Sequence, residues 1–234
     1  MITRASSDLS NFDYAAGEVI LIDKEKGKSS FNVVYRLRKI INVKKIGHAG
    51  TLDPAATGLL ILCVGKKTKE IYKYQNLKKT YTGIIELGKK TASMDSETEV
   101  ISERSYNGIT NQMIEEVKNS FIGDIKQIPP MYSALKHKGK ALYKFARKGI
   151  EVKREPRDVT IYGFELSKID LPEIEFKIRC SKGTYIRVIA DDFGEKLGCG
   201  AHLKSLRREA IGEYKVSDAQ TVDEFEKKIN FIES

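Results

Sequence analysis

Cysteine and histidine are scarce. Cys63, Cys180 and Cys199 form no CxxC pair, and only three histidines accompany them among 234 residues. Neither a disulfide framework nor a zinc site has the ligand spacing it needs. The sequence also contains neither GxGxxG nor GxxxxGK(S/T), the common loops that cradle nucleotide phosphates. No cofactor and no metal are therefore expected, and any chemistry falls to side chains alone. The longest apolar run, Leu59 to Val64, is far too short to span a bilayer. Asp8, Asp13 and Glu18 precede the first apolar stretch, so the N-terminus does not read as a signal peptide. A cytoplasmic protein with no membrane partner is expected.

What is present is a globular composition, 41% hydrophobic and 31% charged, with a formal charge of +9. The excess is concentrated. From Lys136 to Arg157 there are nine Lys or Arg against Glu151 and Glu155, and from Lys24 to Lys45 eight against Glu25 alone. Such segments suit a polyanion, because neutralised phosphates release condensed counterions. Aromatic residues interleave with these charges: Phe31, Tyr35, Tyr72, Tyr74, Tyr81, Tyr143 and Phe145. RNA-binding proteins use such rings for stacking, although the spacing of most of them is also that of core residues.

Val19 to Ile22 reads as a strand, and Ser29 or Ser30 caps a helix with Val33, Val34, Leu37, Ile40 and Ile41 on its apolar face. Leu59 to Val64 reads as a buried strand, Lys66 to Gln75 as helix and Thr80 to Leu87 as strand. Residues 89–108 are polar and turn-rich. Thr110 is placed to cap a helix carrying Met113, Ile114, Val117 and Phe121, and Pro129-Pro130 forces an extended segment. A short helix is expected over 139–148, strands over 156–169 and 173–180, a helix opened by Thr184, and a last helix over 219–229. This mixture lacks a βαβ rhythm, so the expectation is a single α+β domain over residues 1–234.

The segment Gly47-His48-Ala49-Gly50-Thr51-Leu52-Asp53-Pro54-Ala55-Ala56-Thr57-Gly58 is dense in glycine and small residues. Glycine permits positive φ and close backbone approach, and Pro54 holds Asp53 extended. Such a loop either presents one carboxylate rigidly into a cleft or is an Asp-Pro turn joining two elements.

This segment resembles the catalytic motif of the TruB family of tRNA pseudouridine synthases, GHxGTLDPxAxG. Other segments resemble the same family in the same order. They are Asp23-Lys24 with Gly27-Lys28-Ser29-Ser30, Lys79-Thr80-Tyr81 through Leu87-Gly88, and Thr91 to Asp95. Gln127-Ile128-Pro129-Pro130-Met131-Tyr132-Ser133-Ala134-Leu135-Lys136 follows, then Lys182-Gly183-Thr184-Tyr185-Ile186-Arg187, then Gly200 to Leu203 with Leu206-Arg207-Arg208. The opening motif departs from the family's Asp-Lys-Pro by placing Glu25 after Lys24. About twenty residues follow Tyr214, so a C-terminal RNA-binding (PUA) domain is not expected.

The resemblance implies the pseudouridine synthase fold, with a mixed, largely antiparallel central sheet. It also implies an isomerase that converts uridine to pseudouridine at position 55 of the T-loop, acting on the T-arm of tRNA. A monomer is expected. Asp53 becomes the catalytic carboxylate, either attacking the sugar or removing a proton from it. Arg187 becomes its partner, keeping the carboxylate charged with a pKa roughly 1–3 units lower. Asp95 either completes an Asp–Arg–Asp network or caps a loop. Tyr81 and Tyr185 are the active-site tyrosines, with Tyr81 stacking on the flipped base. His48 packs against RNA beside the vacated stack, and Lys24 and Lys136 make RNA or loop contacts. Asp191 and Asp192 are the rival carboxylates, on a helix whose pattern is one of core and surface.

Overall fold

The computed structural model describes residues 1–10 and 12–230. The chain forms two compact units, Met1–Thr82 together with the stretch from Leu206 onward, and Gly83–Ser205.

In the first unit, β1 (Val19–Lys24) pairs antiparallel with β3 (Thr57–Val64), which also pairs with the short β2 (Ile46–His48). Along β1, Ile20 and Ile22 join Leu60, Leu62 and Val64 in one cluster, whereas Val19 and Leu21 join Leu59, Ile61 and Cys63 in another. Both faces of this strand pair are therefore buried, which explains why its residues read as a continuous apolar run. Helix α1 (Ser30–Ile40) covers the first face with Val33, Val34 and Leu37. Its first turn is closed by a reciprocal cap, in which Ser29 and Asn32 exchange side-chain and backbone bonds. The expected helix at Lys66–Gln75 is corrected. Residues Gly65–Glu70 are a 3₁₀ turn, where the Thr68 hydroxyl donates to the Gly65 carbonyl at 2.8 Å, and α2 covers only Ile71–Gln75.

Strand β4 (Lys79–Leu87) leads into the second unit. The polar segment after it holds a small hairpin, β5 (Lys89–Thr91) on β6 (Val100–Glu103). Helix α3 (Asn111–Asn119) starts where the Thr110 hydroxyl accepts from the Met113 amide, followed by β7 (Gly123–Gln127). The helix expected over 139–148 is shorter than its spacing suggests. Residues 136–141 instead fold as a hairpin, β8 (Lys136–His137) on β9 (Lys140–Ala141), and α4 is only Leu142–Ala146. Lys138 and Gly139 both have positive φ, 47° and 79°, the turn that matches strand twist.

Strands β10 (Arg157–Asp170) and β11 (Glu173–Cys180) form a long antiparallel pair, with β7 on the other side of β10. Helix α5 (Ile186–Lys196) buries Ile186, Ile189 and Phe193. Phe121, Phe164, Phe176 and Phe193 meet with ring centroids 6.0–6.2 Å apart. Thr184 does not cap this helix. Tyr185 holds the cap position, and the Thr184 hydroxyl instead donates to the Ser181 carbonyl at 3.0 Å.

The chain then enters β12 (Ala201–Ile211), a strand that its sequence pattern does not signal, whose last part belongs to the first unit. There it runs parallel to β3, with Arg207 opposite Thr57 and Arg208 opposite Gly58. β13 (Tyr214–Lys215) pairs with the end of β12, and α6 (Val222–Asn230) packs Val222 and Phe225 into the cluster beneath α1. Apart from the β3–β12 contact, the pairings described here are antiparallel. The fold is α+β, with a mixed, largely antiparallel sheet. No helix among the described residues is long and apolar enough to cross a membrane.

Candidate active site

The residues singled out in the sequence fall into two groups, one in each unit. In the first unit the Asp53 loop lies between β2 and β3 and is stitched at several points. The Ser30 hydroxyl, on the first turn of α1, accepts from the Leu52 amide at 2.9 Å and donates to the Leu52 carbonyl at 3.1 Å. The Gly27 amide donates to the Pro54 carbonyl at 2.8 Å. Lys24, 0% exposed, donates its ammonium to the carbonyls of Glu25 and Lys28 at 2.9 and 2.6 Å and more weakly to Pro54 at 3.5 Å. Of the two roles expected for Lys24, the geometry supplies the loop contact. Glu25, where the family pattern has proline, joins this clasp through its backbone carbonyl. Asp53 itself is half-buried.

Arg208 holds the same loop as well. It is 1% exposed, and its guanidinium donates to the Leu59 carbonyl at 2.7 Å, the Gly50 carbonyl at 3.1 Å and the Thr51 carbonyl at 3.4 Å. The close approach needs glycine at position 58, where φ is +102° and a Cβ would stand 2.3 Å from the Arg208 carbonyl oxygen. The neighbouring Arg207 side chain instead grips Asp23 through both of its carboxylate oxygens, at 3.1 and 2.7 Å. The Arg207-Arg208 pair carries no sign of these roles in the sequence alone. The missing signal was the strand itself, since successive strand residues point to opposite faces.

His48 ends β2 and is partly buried. Burial pushes its pKa down, the Arg208 cation pushes it further down, and the Gly50 backbone opposes the shift. A neutral imidazole follows at neutral pH. Tyr81, on β4, is buried.

The second unit assembles the other group. Arg187, on the first turn of α5, donates to Asp95 at 3.0 Å and to the Tyr132 carbonyl at 2.6 Å, and both side chains of the ion pair are almost wholly buried. Asp95 also accepts from the Ser93 hydroxyl at 2.6 Å and the Glu97 amide at 3.0 Å. Asp95 thus pairs with Arg187 and caps its own loop at once. Gln127, at the end of β7, fixes the backbone of Tyr185: it accepts from the Tyr185 amide at 2.8 Å and donates to the Tyr185 carbonyl at 3.0 Å. The Arg187 guanidinium lies 5.9 Å from the centroid of the Tyr185 ring. Three segments far apart in sequence, around residues 93–95, 127–132 and 185–187, therefore meet here. Lys136 stands exposed on the β8–β9 hairpin.

The rival carboxylates have other surroundings. Asp191 is buried, and burial raises its pKa against the opposing pull of the Lys90 ammonium 3.2 Å away. Lys90 also binds Glu195 at 2.6 Å. Asp191 thus belongs to a pairing that ties α5 to β5, and Asp192 faces outward.

Residues 38–186 match the sequence model of the N-terminal domain of TruB family pseudouridylate synthases, and residues 187–234 that of the tRNA pseudouridylate synthase B C-terminal domain. The chain belongs to the TruB family. Among curated proteins similar to it are the tRNA pseudouridine synthase B of Opitutus terrae, 51% identical over 208 residues, and that of Chloroherpeton thalassium, 47% identical over 218 residues. The first match covers 89% of this chain and 86% of the relative, the second 91% and 90%. In solved structures, a chain of a Cbf5–Nop10–Gar1 complex is similar, with a TM-score of 0.74 and 28% identity. That match covers 94% of this chain and 56% of the other, so the present chain spans about half the length of that structural relative.

Proposed function

We propose that this TruB family member isomerises uridine to pseudouridine at position 55 in the T-loop of tRNA, with Asp53 as the catalytic carboxylate. The observation that carries the reading is the clasped loop. Ser30, Gly27, Lys24 and Arg208 hold the backbone on both sides of Asp53, while the carboxylate itself keeps partial access. A turn that merely joined two strands would not need a fully buried arginine to fix its carbonyls.

The reaction breaks the N1–C1′ bond, turns the base and bonds C5 to C1′, after which the C5 proton leaves and N1 gains one. No atoms are gained or lost and no redox partner is needed. The target base must leave its stack to be reached. Asp53 acts ionised, as nucleophile toward C1′ or as base toward the sugar. Tyr81 and Tyr185 are assigned to the base by resemblance, Tyr81 by stacking on it. Arg187, its fork already fixed on Asp95 and the Tyr132 carbonyl, serves the same reaction.

Release of tritium from C5-labelled, unmodified tRNA, measured in EDTA, tests this. The parent protein is expected to release label and Asp53→Asn to release none while still binding tRNA, since Asn keeps the shape but neither attacks nor takes a proton. A folded parent without release, or an Asn variant with more than a small share of the parent rate, removes the assignment. Pseudouridine mapping of the product fixes the position.

A further inference from the structure

Exposed apolar side chains occur over most proteins, and Ile122, Ile128 and Ile150 are exposed here. Helix α1 is different. Phe31 and Tyr35 are 65% and 51% exposed and lie on successive turns of one face. The Lys39 ammonium, one turn further, sits 4.7 Å from the centroid of the Tyr35 ring. The opposite face of the helix is spent on the core through Val33, Val34 and Leu37, and Arg36 is spent on Asp223 and Glu226 of α6. The outer stripe serves neither purpose.

Its position matters more than its composition. Ser30, the residue before Phe31, is the one whose hydroxyl bonds both backbone groups of Leu52. The stripe therefore starts beside the Asp53 loop and runs away from it for about 12 Å to Lys39, at 1.5 Å per residue. Lys26 and Lys28 lie just before it and Lys44 and Lys45 just after, all exposed, and no acidic residue occurs from Lys26 to Lys45.

We propose that the Phe31–Tyr35–Lys39 stripe of α1 is an RNA-docking surface that receives the strand flanking the nucleotide offered to Asp53. Bases or riboses lie on the two rings, and the lysines meet the phosphates. The proposal rests on the functional reading above and adds a surface to it. Lysines interleaved with open rings are what a single-stranded or distorted RNA segment requires, whereas an apolar protein partner has no use for so many exposed cations.

Equilibrium binding of a T-arm hairpin and of whole tRNA to the full-length chain tests this, with the melting temperature as a folding control. Phe31→Ala and Tyr35→Ala are each expected to raise Kd at least about fivefold, the lower end of what one stacked base contributes. Phe31→Trp should keep the affinity, and Phe31→Leu, apolar but without a ring, should lose it. Lys39→Gln should flatten the log–log salt dependence by about 0.7 to 0.9. Alanine variants that bind as the parent does overturn the stripe while leaving the catalytic assignment standing. Full affinity in Phe31→Leu also overturns it, because a side chain without a ring would then serve RNA as well as the ring does. A parent that binds neither RNA removes the functional reading itself.

Discussion

At the scale of single residues, identity matters because geometry does. Arg187 lies almost wholly buried between Asp95 and the Tyr132 carbonyl, each taken by a different nitrogen of one planar fork. Lysine would carry the same charge there, but its ammonium is compact and strongly hydrated and cannot span two acceptors in the same way. Arg187→Lys is therefore expected to lower the single-turnover rate at saturating tRNA on the order of 10²-fold, ~2.7 kcal/mol of barrier, the scale of a 1 Å misplacement. Affinity for tRNA should change far less. A Lys variant with the parent rate would remove Arg187 from the reaction, and one with the parent rate but weaker binding would make it an RNA contact. Neither the fork's second acceptor nor the support of Tyr185 by Gln127 was visible in sequence. Both partners stand within recognisable motifs, but a motif lists residues and not which backbone carbonyl a side chain finds.

At the scale of elements, the readings that succeeded were those with a period behind them. β11 alternates buried Ile174, Phe176, Ile178 and Cys180 with exposed Glu175, Lys177 and Arg179, and α1 and α3 carry caps that name their first turns. The β8–β9 hairpin failed because it is two residues long on each side and has no apolar alternation. β12 escaped because its second half keeps Arg207 and Arg208 where a strand would ordinarily alternate apolar and polar. That strand supplies a test. Arg208→Met would leave the Gly50, Thr51 and Leu59 carbonyls without their donor, at a cost on the order of 3 kcal/mol for lost charge-assisted bonds and unsatisfied buried groups. The urea midpoint should fall accordingly, and turnover should fall further than the folded fraction does, because the loop that carries Asp53 is no longer held. Loss of activity strictly proportional to unfolding would make Arg208 a fold residue only.

At the scale of the whole molecule, the formal charge of +9 bears on the substrate rather than on the fold. If tRNA is held largely through its phosphates, log Kd should rise linearly with log salt, by about 0.7 to 0.9 for each phosphate contacted. Six contacts would weaken binding on the order of 10³-fold between 50 and 200 mM salt. A filter-binding series over that range checks this, and a flat response would place the affinity in base contacts alone. Family, α+β class, the loop that carries Asp53 and the excess of positive charge are all legible in the sequence. These depend on local motif, period and composition, which neighbouring residues carry whatever their surroundings. That Lys24 is a buried clasp, that Arg208 holds the Asp53 loop, and that Phe31 and Tyr35 face solvent instead of core emerges only once the chain is folded. An amphipathic helix reveals in its sequence that one face is apolar. Which aromatic at the edge of that face is covered depends on what packs over it, and that comes from separate segments, the β1–β3 strand pair and α6.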